Sequence, residues 1–152
     1  MKEAFDAING RVILAIVATY GLGKALESTG TASLIASALV SVGKRIGAVG
    51  LLSMLFLAVA LLSCVVSNAA TVILLFPVVQ DLSGKLNSLS IGQLSVTLMM
   101  GASCAFVTPI GYQTNLMVFA PGNYEFIDFA KIGGALVLLL TPVVGFLVFY
   151  II

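Results

Sequence analysis

Two short polar segments interrupt the apolar stretches of this chain: Ser67-Asn68-Ala69-Ala70-Thr71 and Thr108-Pro109-Ile110-Gly111-Tyr112-Gln113-Thr114-Asn115. They restrict the fold more than any other feature. At membrane depth, unwound backbone with hydroxyl and amide side chains survives only where it is packed in protein or lines a site. Discontinuous helices are how secondary carriers hold ions and small anions. The pair of breaks therefore sets the expectation of a secondary transporter.

Composition fixes the class. The chain is 61% hydrophobic and 9% charged, with a mean hydropathy of +1.20, against roughly 25% charged residues in soluble domains. This predicts an integral membrane protein in a lipid bilayer. A formal net charge of +1 leaves no basic patch for nucleic acid. There is no His, and Cys64 and Cys104 have no further cysteines to join, so neither a zinc site nor an enzyme centre has ligands to draw on. Both cysteines sit in apolar runs and read as small buried hydrophobes. Met1 to Arg11 is mixed in charge and the run after it has no small-residue cleavage site, which gives no signal peptide. The 152 residues allow four or five crossings at about 20 residues each. A carrier needs two repeats around one site, so the chain either dimerises or is one half of a longer protein.

Along the chain, residues 12–43 read as broken or interfacial helices, with Lys24 and Glu27 placed to pair and a polar elbow at Thr29-Gly30-Thr31. The alternative there is a helix end, a loop and a surface helix. Residues 46–80 read as a re-entrant hairpin. Its first arm, Ile46 to Val66, is long enough to cross; its return arm, Ala69 to Val79, covers only about half of a ~30 Å core. The rival is one full span followed by a buried stub. Residues 94–120 read as a discontinuous helix, because Pro109 removes a donor and disfavours helix at Thr108, while Gly111 adds backbone freedom. Glu125, Asp128 and Lys131 read as an aqueous stretch, and residues 133–152 as a conventional spanning helix with a kink at Thr141-Pro142. Lys44, Arg45 and Lys85 weakly favour cytoplasmic ends for the hairpin.

The chemistry lies at the breaks. Ser63 and Ser67 share one helix face, and Asn68 follows at the helix end. Unpaired carbonyls at a helix C-terminus suit a bare cation. Hydroxyl and amide oxygens complete a shell of about five or six for Na+, by analogy with other hard cations. The N–H groups that open the return arm near Ala70-Thr71 form a positive end for an anion. In the second break, carbonyls near Ala105, Phe106 and Val107 and the Thr108 hydroxyl face the cation, while Thr114 and Asn115 can bond an anionic oxygen. Neither break holds Arg or Lys, so co-bound sodium must neutralise the anion.

Ser67-Asn68-Ala69 ahead of Pro77, followed by Gly101-Ala-Ser-Cys-Ala-Phe-Val-Thr-Pro-Ile-Gly-Tyr-Gln-Thr-Asn-Leu-Met-Val-Phe-Ala-Pro-Gly-Asn-Tyr124, resembles the C-terminal repeat of the divalent anion:sodium symporter family within the ion transporter superfamily. The subgroup most similar is that of bacterial and algal sulfate permeases, which often carry TrkA-C domains. Gly21 to Thr31 is similar to the segment preceding the hairpin there. The resemblance covers nearly the whole chain. It implies an all-α membrane fold, one inverted-repeat half of an elevator-type homodimer in the cell membrane, crossing several times. It implies a sodium site of Ser63, Ser67, Asn68, Val107 and Thr108. It implies an anion site of Ser67, Asn68, Ala69, Thr71, Thr108, Pro109, Thr114 and Asn115, with Na+ as coupling ion and no other cofactor. The family's Ser-Asn-Thr has Ala at position 69 here, so Thr71 would have to replace the missing hydroxyl. That departure fits a small oxyanion such as sulfate no worse than a dicarboxylate. The first repeat has no counterpart in this chain. The second hairpin of the family opens outward, which is preferred over the weak charge count. Competing readings are a non-transporting membrane remnant or assembly subunit, and an oligomeric pore.

Overall fold

The computed structural model describes residues 28–86, 88–119 and 121–152, together with 17, 21, 24 and 25. The expected lead-in helix over Lys2–Asn9, the short apolar run Val12–Leu22 as a whole, and the Lys24–Glu27 pair lie outside the described residues. Every regular element described is helical.

Helix α1, Thr31–Ser63, follows a turn at Thr29 and Gly30, where the polar elbow was expected. It bends at Gly47, whose φ of 76° is open to a residue without a Cβ. The segment Arg45–Ser63, which includes the bend, is long and apolar enough to cross a membrane, about 28 Å at 1.5 Å per residue. Helix α2, Asn68–Lys85, returns antiparallel to it in sequence and packs on it. Its Ser67 cap accepts a hydrogen bond from the Ala70 N–H at 3.3 Å.

The return arm is longer than the sequence suggested. It has 18 residues, about 27 Å, rather than the expected 11. Asp81 and Lys85 do not end it, because they pair one turn apart at 2.6 Å and keep the helix going. Pro77 sits inside it. The two arms are thus close to equal in length.

Helix α3, Ile91–Ser103, opens on a reciprocal cap: Gln93 N–H donates to Ser90 Oγ at 3.1 Å and Ser90 N–H donates to Gln93 Oε1 at 3.0 Å. It ends at Cys104, a short 3-10 turn spans Pro109–Gly111, and α4, Gln113–Phe119, resumes the helix. This is the discontinuous helix expected over 94–120, begun three residues earlier. Helix α5, Phe126–Ile151, starts seven residues before the expected position. The expected aqueous stretch is its first turn, where Glu125 N–H donates to Asp128 Oδ2 at 2.9 Å and starts the helix. It too is long and apolar enough to cross.

The core lies where α1, α2, α3 and α5 meet. Leu52, Phe56, Val59, Val79, Leu82, Leu94 and Leu98 are buried there, and Val137, Val144 and Val148 join them from α5. Gln93 Nε2 donates to the Phe149 carbonyl at 3.3 Å, which ties the start of α3 to the end of α5. At the other end, Gly133 of α5 lies directly on the Phe106 carbonyl, where any Cβ would overlap it. Helix α5 thus runs alongside α3 and onto the second break. The exposed side of α5 carries Leu138, Leu139, Phe146 and Tyr150.

Candidate functional site: a junction of two broken helices

The two breaks meet. Ser63, the last residue of α1 and fully buried, puts its hydroxyl 2.6 Å from the Ala102 carbonyl near the end of α3. In return, the Thr108 hydroxyl of the second break donates to the Cys64 carbonyl at the end of α1, also at 2.6 Å. Each break thus lends a hydroxyl to the loose helix end of the other. The residues joined are 39 and 44 positions apart.

Donor and acceptor inventories fix more. Ser63 Oγ is also 2.8 Å from the amide oxygen of Asn68, Oδ1. A hydroxyl has one hydrogen, and a main-chain carbonyl can only accept, so that hydrogen goes to Ala102. The Asn68 contact is satisfied when the amide is turned so that Nδ2 donates to Ser63 Oγ, since the two ends of an amide are alike in shape. The Asn68 carbonyl oxygen is then left over as an acceptor. Asn115 reaches the same result. Its Nδ2 donates to the Ala105 and Thr108 carbonyls, each at 3.2 Å, which uses both hydrogens and leaves its oxygen. Thr108 Oγ1 also accepts from Gly111 N–H at 3.1 Å, which closes the 3-10 turn.

Several backbone groups at the junction stay unused. Among the described residues, the carbonyls of Ser63, Val65, Val66 and Val107 accept no hydrogen bond. The N–H groups of Asn68 and Ala69 open α2 and have no partner within the helix. A negative helix end and a positive one thus sit on either side of Ser67.

A cleft of about 360 Å3 opens at the junction. One wall holds Val65, Val66, Ser67 and Asn68; the other holds residues 110–113 and Leu116. Among the described residues, no charged side chain lines it.

Of the residues singled out from sequence, Ser63, Asn68 and Thr108 are brought together by the bonds above, and Ser67 and Asn68 face the cleft. Ala69 is exposed beside them and Pro109 is buried in the turn. Val107 stands in the break, half-buried. Asn115 braces the second break from inside. Thr114 is exposed on α4 and does not line the cleft. Thr71 is fully buried one turn behind Asn68, and its hydroxyl has no partner. Sequence reasoning missed Tyr112 and Gln113, which line the cleft, and Gly133, which lets α5 reach the break. Their position inside the second polar segment was the available signal for the first two. Cys64 and Cys104 are free thiols.

Known proteins can now be set beside this geometry. The sequence profile of the citrate transporter family (CitMHS) matches residues 1–152, the entire chain. This chain belongs to the citrate transporter family. Sodium/sulfate cotransporter 1 of Chlamydomonas reinhardtii is 40% identical over 95% of the chain and 16% of its own length. Probable sodium/sulfate cotransporter 3 of the same alga is 38% identical over 97% of the chain and 16% of its own length. An uncharacterized transporter of Synechocystis is 39% identical over 98% of the chain and 24% of its own length. The chain thus spans less than a quarter of each of these relatives. No solved structure matches it. As a citrate transporter family member it is of the divalent anion:sodium symporter type that its motifs resemble. It is a helical membrane protein of a transporter family, not an enzyme.

Proposed function

We propose that this chain is a C-terminal part of a secondary carrier that couples sodium to the movement of a small divalent anion such as sulfate, with a dicarboxylate as the alternative cargo. In this reading, α1 and α2 form a re-entrant hairpin in an elevator-type homodimer of the cell membrane, and an N-terminal repeat completes the carrier. Sodium sits among Ser63, Ser67, Asn68, Val107 and Thr108, taken by the spare Asn68 oxygen, the hydroxyl lone pairs and the idle carbonyls. The anion sits against the Asn68 and Ala69 N–H groups and the Ser67 hydroxyl. Thr71, Pro109 and Thr108 shape the floor, and Thr114 and Asn115 stand behind.

The single observation that carries this is the exchange of hydroxyls between the breaks, Ser63 to Ala102 and Thr108 to Cys64. It holds two helix C-termini, each a partial negative charge, at one point. That arrangement is costly in a poorly solvated place unless a cation occupies it. A cation there lowers the cost of an anion a few ångströms away, which is the physical content of coupling. The names of the algal relatives, sodium/sulfate cotransporters, support sulfate and sodium as the pair.

The test is uptake of radiolabelled sulfate and succinate into vesicles containing the protein, with sodium or potassium outside. Sodium-dependent, saturable sulfate uptake that Asn68→Ala abolishes is the expected result. Uptake indifferent to sodium, or non-saturating flux, would remove the reading. The small share of each relative that the chain spans favours one second reading, a module that inserts and assembles but transports nothing alone. Restoration of uptake by supplying an N-terminal repeat separates it from an inert remnant.

A further inference from the structure

We propose that Tyr112 and Gln113 form a donor wall that recognises the oxyanion of the junction cleft through side-chain hydrogens not committed elsewhere. This rests on the carrier reading above and adds the recognition that it lacks.

The argument is an inventory of hydrogens. The side-chain donors nearest the breaks are already spent: Thr108 on the Cys64 carbonyl, Ser63 on the Ala102 carbonyl, and both hydrogens of Asn115 on the Ala105 and Thr108 carbonyls. Asn68, turned toward Ser63, gives it one hydrogen and leaves an acceptor and one hydrogen. An anion that entered between these groups would meet more oxygens than donors. The wall across from Ser67 differs. Tyr112 and Gln113 line the cleft, and among the described residues neither side chain makes a hydrogen bond. The Tyr112 phenol offers one hydrogen and the Gln113 amide two.

Their positions are set by the backbone. Tyr112 is extended (φ −143°, ψ 141°) between the 3-10 turn and α4. Its carbonyl takes the N–H groups of Asn115 at 3.1 Å and Leu116 at 3.3 Å. The segment is anchored while both side chains stay available. With Ser67 and Asn68 opposite, the cleft presents donors from two sides and, among the described residues, no carboxylate. A fully ionised tetrahedral oxyanion such as sulfate has acceptors on every face and fits such a lining. Uncharged lining also leaves sodium as the counter-charge, so selectivity and coupling fall to different side chains.

The test is equilibrium binding of radiolabelled sulfate to the purified chain in nanodiscs, in sodium, with selenate as competitor. Selenate, which has the same acceptors, should displace sulfate. Gln113→Ala should weaken sulfate about tenfold, the usual effect of losing a hydrogen bond to a charged group, and Tyr112→Phe should weaken it by a smaller factor. Gln113→Glu is the decisive variant. It should abolish binding at neutral pH and regain it as pH falls below about 4.3, where the carboxyl is neutral and donates, while Gln113→Ala shows no such recovery. Sodium-dependent binding by the unaltered chain together with unchanged affinity in all three variants overturns the donor wall and leaves the carrier reading standing. Absence of sodium-dependent sulfate binding by the unaltered chain overturns both.

Discussion

Ser63 and Thr108 carry the junction, and what each touches makes them testable. Thr108→Val removes one hydroxyl and strands two partners, the Cys64 carbonyl and the Gly111 N–H. Leaving buried polar groups unsatisfied costs about 1–3 kcal/mol each, so thermal unfolding in detergent should fall by several degrees, while Thr108→Ser should stay near the original. Ser63→Ala strands the Ala102 carbonyl and the Asn68 amide in the same way. It should lower sodium affinity as well as stability, because the freed amide no longer holds its oxygen in place; sodium titration of sulfate binding reads this. A Ser63→Ala protein with unaltered stability and sodium response would show that the hydroxyl exchange is incidental. The identities of these residues were legible in the sequence, because hydroxyls and amides at membrane depth stand out against their surroundings. Their partners were not. Ala102 and Cys64 act through main-chain carbonyls, which every residue has, and they lie 39 and 44 positions away.

Among the elements, the breaks were readable and the lengths were not. Proline, glycine and a capping serine mark where α1, α2, α3 and α4 stop and start. Charged residues misled in two places. Asp81 and Lys85 suggested water, but an ion pair within one helix continues α2 for a further turn and a half. Asp128 read as part of an aqueous stretch and caps the start of α5. The Asp81–Lys85 pair is about one-third exposed on each side, so Asp81→Ala should cost no more than about 1 kcal/mol in the same unfolding assay. Gly133 is different. A Cβ there would overlap the Phe106 carbonyl, so Gly133→Ala must push α5 off the second break. Small residues let helices approach this closely in membranes. The expected cost is about 1–3 kcal/mol, as for other overpacked positions. Gly134→Ala meets open space and should be near neutral, which makes it the matched control.

For the molecule as a whole, the chain spans 16% to 24% of its sodium/sulfate and uncharacterized transporter relatives. One side of α5 is apolar and exposed, with Leu138, Leu139, Phe146 and Tyr150 outward. That side fits lipid or further protein of the same carrier. The junction itself needs only α1 to α5, so ligand binding can be asked of this chain even where transport needs the remainder. The account's central claim is that one junction holds a cation and an anion that favour each other. Linkage makes that symmetrical: the factor by which sodium tightens the anion must equal the factor by which the anion tightens sodium. The direct measurement is therefore a two-way titration of the purified chain in nanodiscs, sulfate affinity against sodium and sodium affinity against sulfate. The account predicts equal enhancements in both directions, on the order of 5- to 150-fold for couplings of this kind, lost together in Asn68→Ala. Sulfate affinity that does not change when potassium replaces sodium would contradict it.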